Sequence, residues 1–130
     1  MVLDTSAVIA ILTSDPSASR LLTAIEGAPI RRIATASVVE SAMVLLALWD
    51  ETAEPQLDLF LRTIGAEVVP VGEEHMLLAR DAAVRFGKGR HPAGLNFGDC
   101  FSYALAVAAG EPLLFVGEDF GRTDVIVAAW

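Results

Sequence analysis

Four carboxylates in this sequence are placed where they can do chemistry together: Asp4, Glu40, Asp99 and Asp119. Asp4 directly follows the apolar opening Met1-Val2-Leu3. Glu40 falls in the first turn of a helix that follows a second apolar segment. Asp99 falls in the first turn of another helix, and Asp119 follows the apolar run Pro112 to Val116. Carboxylates brought within ~4–6 Å of one another repel, and at least one pKa must rise. A divalent cation removes that penalty, and hard oxygen ligands with room for water suit Mg2+ or Mn2+. A cation held this way activates water, polarises a phosphoryl oxygen and steadies a leaving alkoxide, which is the chemistry of phosphodiester hydrolysis.

Each acid also has a plain structural reading. Asp4 ahead of Thr5-Ser6 suits a helix cap. Ser37-Val38-Val39-Glu40 fits a capping box. Asp99 is favoured near any helix N-terminus by the macrodipole, and Asp119 suits a turn. Only their shared placement after strands sets them apart, so the elements decide the matter.

The pattern predicts strands at Met1 to Asp4, Arg31 to Ala34, Glu67 to Val71 and Pro112 to Val116. Between them, 3.6-residue periodicity predicts helices. One covers Ser6 to Leu12, and a second follows Pro16 with Leu21, Leu22 and Ile25 on one face. Ser37 to Trp49 is long and very apolar. Pro55 opens a helix striped by Leu57, Phe60, Leu61 and Ile64, as suits proline at a first helical position. Glu73 to Phe86 ends at Gly87, a candidate C′ residue. After a loop from Lys88 to Phe97 comes Gly98 to Ala109, with Phe101, Ala104, Leu105 and Ala108 inward. Alternating strands and helices predict an α/β fold with a central, mostly parallel sheet flanked by helices. Ligands of such sheets collect at the carboxyl ends of the strands, where the four acids lie.

The chain of 130 residues is the size of one domain, expected to span 1–130. It is 54% hydrophobic and 20% charged, a globular composition whose high apolar share points to partner-facing surface. A net charge of −8 excludes nucleic-acid binding through a broad basic face. It leaves room for a local one: Arg85, Lys88 and Arg90, with His91 beside them, sit in a glycine-rich stretch just upstream of Asp99. This is either a phosphate-gripping flap or a solvated loop. The single cysteine, Cys100, reads as buried and cannot build a disulfide or zinc cage alone. No apolar run approaches the ~18 residues of a membrane span, and the start lacks a basic leader segment. The expectation is a cytoplasmic protein with no membrane partner.

Several segments resemble the PIN-domain family. Val2-Leu3-Asp4-Thr5-Ser6-Ala7 is similar to its first strand and Asp-x-Ser motif. Ala36-Ser37-Val38-Val39-Glu40 resembles the segment that supplies its glutamate, and Asn96 to Ala106 the segment with its third acid. Pro112 to Phe120 looks like its final strand and Asp-Phe turn. Gly87-Lys88-Gly89-Arg90-His91 with Leu95-Asn96 resembles one subgroup of its VapC-type toxins. The likeness runs over nearly the whole chain, in order. It implies a three-layer α/β fold, Mg2+ or Mn2+ dependence and endoribonuclease activity on RNA. By position, Asp4 and Asp99 are the main metal ligands and Glu40 a third acid. Thr5 and Ser6 hydrogen-bond the acids or a phosphate, or simply cap. Relatives often carry an acid or Asn two residues before the Asp-Phe aspartate; here Gly117 stands there. The fourth role therefore passes to Asp119, with Asp124 as the second candidate.

The resemblance further implies a homodimer and a cognate VapB-type antitoxin that covers the cleft. Val38 to Trp49 and Leu57 to Leu61 are candidate contact surface or ordinary core, with Trp49 the leading exposed contact. Lys88 or Arg90 would meet charge on the phosphate; His91 and His75 are weaker candidates for a general acid. Three other readings remain, one of them a nuclease acting on DNA, since nothing in the residues separates ribose from deoxyribose recognition and only the resemblance favours RNA. A degenerate PIN fold that only binds RNA or antitoxin is allowed by Gly117. A phosphoacceptor receiver domain needs a lysine after its fifth strand, and the only lysine is Lys88.

Overall fold

Successive side chains of a strand point to opposite faces of its sheet. The computed structural model, which describes residues 1–130, turns that alternation into two cores. Val2, Ala34 and Leu113 belong to one; their neighbours Leu3, Ile33 and Leu114 belong to the other. The strands are short: β1 (Val2–Leu3), β2 (Arg32–Ala34), β3 (Glu67–Val69) and β4 (Leu113–Leu114). All pair in parallel in the order β3-β2-β1-β4. Helices cover both faces, as a parallel sheet requires.

On the first face lie α5 (Glu73–Phe86) and α6 (Phe97–Ala109), contributing Ala79, Ala82, Phe86, Tyr103 and Leu105. On the second lie α1 (Thr5–Leu12), α2 (Ala18–Gly27), α3 (Thr35–Trp49) and α4 (Ala53–Thr63). They contribute Val8, Leu21, Ile25, Leu45, Leu57 and Phe60. Leu3, Leu21, Leu45 and Leu114 are fully buried, each stabilising the fold by about 1.5–3 kcal/mol relative to exposure. The expected three-layer α/β arrangement is therefore present. The chain adds β2 and β3 to one side of β1 and β4 to the other, so the topological switch falls between β1 and β4, where such sheets hold ligands.

Several details differ from expectation. β3 ends at Val69 because Pro70 follows and has no N–H to continue a ladder. α3 starts at Thr35, two residues early, with no side chain capping it. Ser37 and Glu40 form no capping box: the buried Ser37 hydroxyl lies 3.1 Å from that of Ser102 on α6. Pro55 is third in α4, still within the first turn, where backbone N–H groups lack helical partners. α6 starts at Phe97, one residue early, and Ala108 on it is exposed. Gly87 follows α5 with φ −66°, so no left-handed turn ends the helix. Glycine is required there by proximity instead, since a Cβ would stand 2.3 Å from the Ala83 carbonyl oxygen. Trp49 is half-buried against the second core; the large exposed apolar residues of α3 are Val39, Met43, Val44, Leu46 and Leu48. Cys100 is buried. No helix is long and apolar enough to cross a membrane.

Candidate active site

The end of β1 delivers Asp4 to the start of α1, where it serves as N-cap. Its Oδ2 accepts from the Ser6 N–H at 2.8 Å and the Ser6 hydroxyl at 2.6 Å. That hydroxyl in turn accepts from the Val116 N–H at 3.0 Å. One serine thus ties Asp4 to the chain leaving β4, across the switch point. Asp4 is 2% exposed, and its other oxygen, Oδ1, is the one buried side-chain polar atom of the protein without a hydrogen-bond partner.

Glu40 reaches the same cleft from α3. Thr5 donates to its Oε2 at 2.6 Å and, more weakly, to the Ser37 carbonyl at 3.3 Å. The carboxylate lies over the face of Gly98, where a Cβ would come within 2.2 Å of both its oxygens. Asp99 enters from the first turn of α6. Its Oδ2 accepts from the Asn96 N–H at 2.8 Å while Asn96 Oδ1 accepts from the Asp99 N–H at 2.9 Å, a reciprocal cap.

A pattern unites the three. One oxygen of each carboxylate is fixed by a neighbouring donor, and no protein donor reaches the other. Asp4, Glu40 and Asp99 line one open cleft of about 400 Å3 with Thr5, Ser6 and Asn96. Burial pushes the Asp99 carboxyl up to about 6; the Asn96 N–H opposes the rise, and the charges of Asp4, Glu40 and Asp119 add to it. Acceptor-only oxygens facing one space, one buried without a donor, fit a hard divalent cation. No three ligand-type side chains form a ready-made metal group, so the arrangement is a cleft and not a closed cage. That suits an ion such as Mg2+, which usually keeps several waters.

The remaining candidates are distributed unevenly. Thr5 and Ser6 direct their hydroxyl protons at carboxylates, so neither is free to donate to a phosphate. Asp119 is exposed at the turn after β4, near enough for its charge to act on Asp99, but outside the cleft lining. Asp124 lies elsewhere: it accepts from the Tyr103 hydroxyl at 2.6 Å and pairs with Arg85. Arg85 also meets Asp81 at 3.1 Å, so it is a structural cation and not part of a phosphate grip. Lys88 and Arg90 are exposed and unpaired, in a loop that closes through Lys88 N–H to the Leu95 carbonyl; neither lines the cleft. The Nδ1 atoms of His75 and His91 accept from the Gly72 and Ala93 N–H groups, so His75 caps the start of α5 and His91 closes a turn of the loop after it.

Sequence reasoning missed Thr13, Asp15 and Asn96 on the cleft wall and the contact between Gly98 and Glu40. Asp15 precedes α2 and follows no strand, so the search at strand ends passed it by. Its Oδ1 accepts from the Ser17 N–H and hydroxyl, repeating the arrangement of Asp4 with Ser6.

A PIN-domain family model matches residues 1–126. The chain belongs to the PIN-domain family. Ribonuclease VapC30 of Mycobacterium tuberculosis is 47% identical over 129 residues, covering 99% of this chain and 98% of that protein. Ribonuclease VapC of Mycolicibacterium smegmatis is 50% identical over 125 residues, covering 96% and 97%. Among solved structures, Mycobacterium tuberculosis VapC20, described as a sarcin-ricin loop cleaving toxin, superposes with a TM-score of 0.78 at 18% identity, covering 96% of this chain and 95% of that one. That likeness bears on the fold alone. The PIN domain here thus has near relatives along its whole length, and of its four cleft acids Asp4, Glu40 and Asp99 come from the β1–α1 junction, α3 and the start of α6, with Asp15 ahead of α2.

Proposed function

We propose that this PIN domain is a divalent-metal-dependent endoribonuclease, the toxin of a toxin–antitoxin pair. The observation that carries the reading is the buried, donorless Oδ1 of Asp4 in a cleft shared with Glu40 and Asp99. Support for RNA as the substrate comes from the relatives, which are named as VapC ribonucleases.

Asp4 and Asp99 would hold the cation, Mg2+ or Mn2+. When bound, it supplies the positive charge that draws the phosphate into an acidic cleft and acidifies a water. Glu40, fixed by Thr5, is aimed to accept the proton of the attacking water. Ser6 and Asn96 keep the carboxylates of Asp4 and Asp99 turned into the cleft. Asp119 adds negative charge at the rim and takes the fourth acidic role in place of Gly117. Lys88 and Arg90 contact phosphates outside the cleft. The cleft is open to solvent, so a cognate VapB-type antitoxin silences the enzyme by covering it. The apolar groove beside Glu40, walled by Ala36, Val39, Met43, Leu48 and Phe97, suits its anchoring segment. The toxin acts as a homodimer in the cytoplasm.

Purified protein is expected to cut a labelled RNA panel with Mg2+ or Mn2+, to stop in EDTA, and to leave matched DNA intact. Asp4→Asn should abolish cleavage without unfolding the protein. RNA ends sequenced after brief induction in cells, beside an Asp4→Ala control, give the target. Full cleavage in EDTA, or by the Asp4→Asn protein, would refute the proposal.

A further inference from the structure

The nine lysine and arginine side chains are mostly engaged. Arg32, Arg85 and Arg122 pair with carboxylates, Arg31 donates to carbonyls, and Arg20 stacks on Trp130. Four are free of such partners: Arg62 on α4, and Arg80, Lys88 and Arg90. The last three belong to α5 or to the loop that carries the chain from α5 to Asn96. The unspent positive charge of an acidic molecule therefore lies mainly along one path that ends at Asp99.

A groove of about 340 Å3 lies between α5 and α6, and of these cations Arg80 lines it. Arg80 and Asn96 are its polar lining, Ala79, Ala83 and Phe101 supply apolar wall, and no carboxylate lines it. At its lip stands Phe97, 81% exposed, one residue from Gly98 and two from Asp99. Phe101 meets the Phe97 ring edge-on, with centroids 4.9 Å apart, so the ring is braced from one side while most of it remains exposed. Exposure of this degree in a phenylalanine beside a cleft is unexplained by folding. The groove on the other side of Phe97, along α3, has an acid and no cation on its lining, so the two sides of the ring differ in charge.

We propose that the α5–α6 groove receives a nucleotide flanking the scissile phosphate, its base stacked on Phe97 and its phosphate on Arg80. An apolar wall with one aromatic face and one free guanidinium matches single-stranded nucleic acid, whose bases stack and whose backbone is anionic. A protein segment would answer the apolar wall and the ring but has no need of Arg80. The inference rests on the ribonuclease reading and specifies where the strand runs once it leaves the acids. Phe97 and Arg80 are positioning residues: they fix the strand's register and touch no reacting atom.

The test is binding of a fluorescein-labelled single-stranded RNA of about ten nucleotides to cleavage-deficient Asp4→Asn protein across a salt series with Mg2+. Phe97→Ala is expected to weaken binding by roughly 5- to 150-fold, the usual value of one stacked base. Phe97→Trp should restore it. Arg80→Gln should lower the slope of log affinity against log salt by about 0.7, the signature of one lost phosphate contact. Light scattering on each variant reports the oligomer. Unchanged affinity in Phe97→Ala, an unchanged salt slope in Arg80→Gln, or a loss of binding that tracks a change in oligomer would overturn the proposal; the last would make the ring a protein contact. Failure of the ribonuclease reading looks different: RNA still binds through Phe97 and Arg80, and protein with an intact Asp4 leaves it uncut.

Discussion

Replacing Gly98 with alanine separates the architecture of the site from the stability of the fold. The added Cβ would stand 2.2 Å from both Glu40 carboxylate oxygens, where ordinary contact begins near 3.4 Å. The carboxylate must retreat by about 1.2 Å, a displacement of the size that costs roughly 100-fold when it misplaces a reacting group. Retreat also strains or breaks the 2.6 Å bond from Thr5, a bond to a charged acceptor worth about 1.5–3 kcal/mol. Alanine in the first turn of α6 returns up to about 1 kcal/mol of helix propensity. The balance is a loss of about 1–2 kcal/mol, which lowers Tm by only several degrees. Cleavage of a labelled RNA at saturating Mn2+ should therefore fall roughly 100-fold in a protein that still melts cooperatively. Cleavage by Gly98→Ala at the wild-type rate would show that the position of Glu40 does not matter to catalysis.

Two further perturbations follow from the same geometry. Asp99 has its pKa raised by burial first, from 3.8 to about 6, so the folded state holds this proton more tightly than the unfolded chain. Its effect on stability is neutral below pH ~4 and becomes unfavourable as pH rises toward 6. After discounting for partial exposure the loss is on the order of 1–2 kcal/mol. In EDTA, urea melts of the wild type should weaken across pH 4–6 relative to Asp99→Asn, and equal pH profiles would contradict the burial argument. Asp15 and Asp124 are shifted down, so they titrate below that window. Asp124→Asn breaks a surface network of Arg85 and Tyr103 at a cost of about 1 kcal/mol or less and should leave RNA cleavage intact. A collapse of activity with metal binding lost would return Asp124 to the list of ligands.

The layer arrangement was legible because strand alternation and helix periodicity both survive folding. Val2 and Leu3 had to face opposite cores, and a parallel sheet had to place Asp4 at a strand end. The roles of single side chains were less legible. Ser37 and Glu40 have capping-box spacing, yet Ser37 faces the Ser102 hydroxyl of a helix far away in sequence. Glu40 instead meets Thr5, 35 residues earlier. Arg85 and Asp124 looked available because the pairing that joins them spans 39 residues, outside any local window, although Arg85 also has Asp81 one helical turn away. Gly98 looked like an unremarkable helix residue until α3 was laid against it. Local patterns record what neighbouring residues prefer, and these five positions are decided by tertiary partners that outweigh the preference.

The same distinction explains how a molecule of net charge −8 can handle a polyanion. Ordinary nucleic-acid binding needs a surface of excess cations, and here most cations are spent on carboxylates, carbonyls or a ring. The acid cleft has no lysine or arginine on its lining. By itself it repels phosphate, and the Asp99 pKa, raised in part by its acidic neighbours, records that repulsion. Under the proposed function, affinity at the reacting phosphate would depend on a cation that the cleft borrows from solution, while Arg80, Lys88 and Arg90 offer attraction only along the approach from α5. Binding that is conditional at the centre and directional at the edge favours a strand that arrives with its flank in the α5–α6 groove. Such a protein need not hold RNA tightly everywhere to cut it at one place.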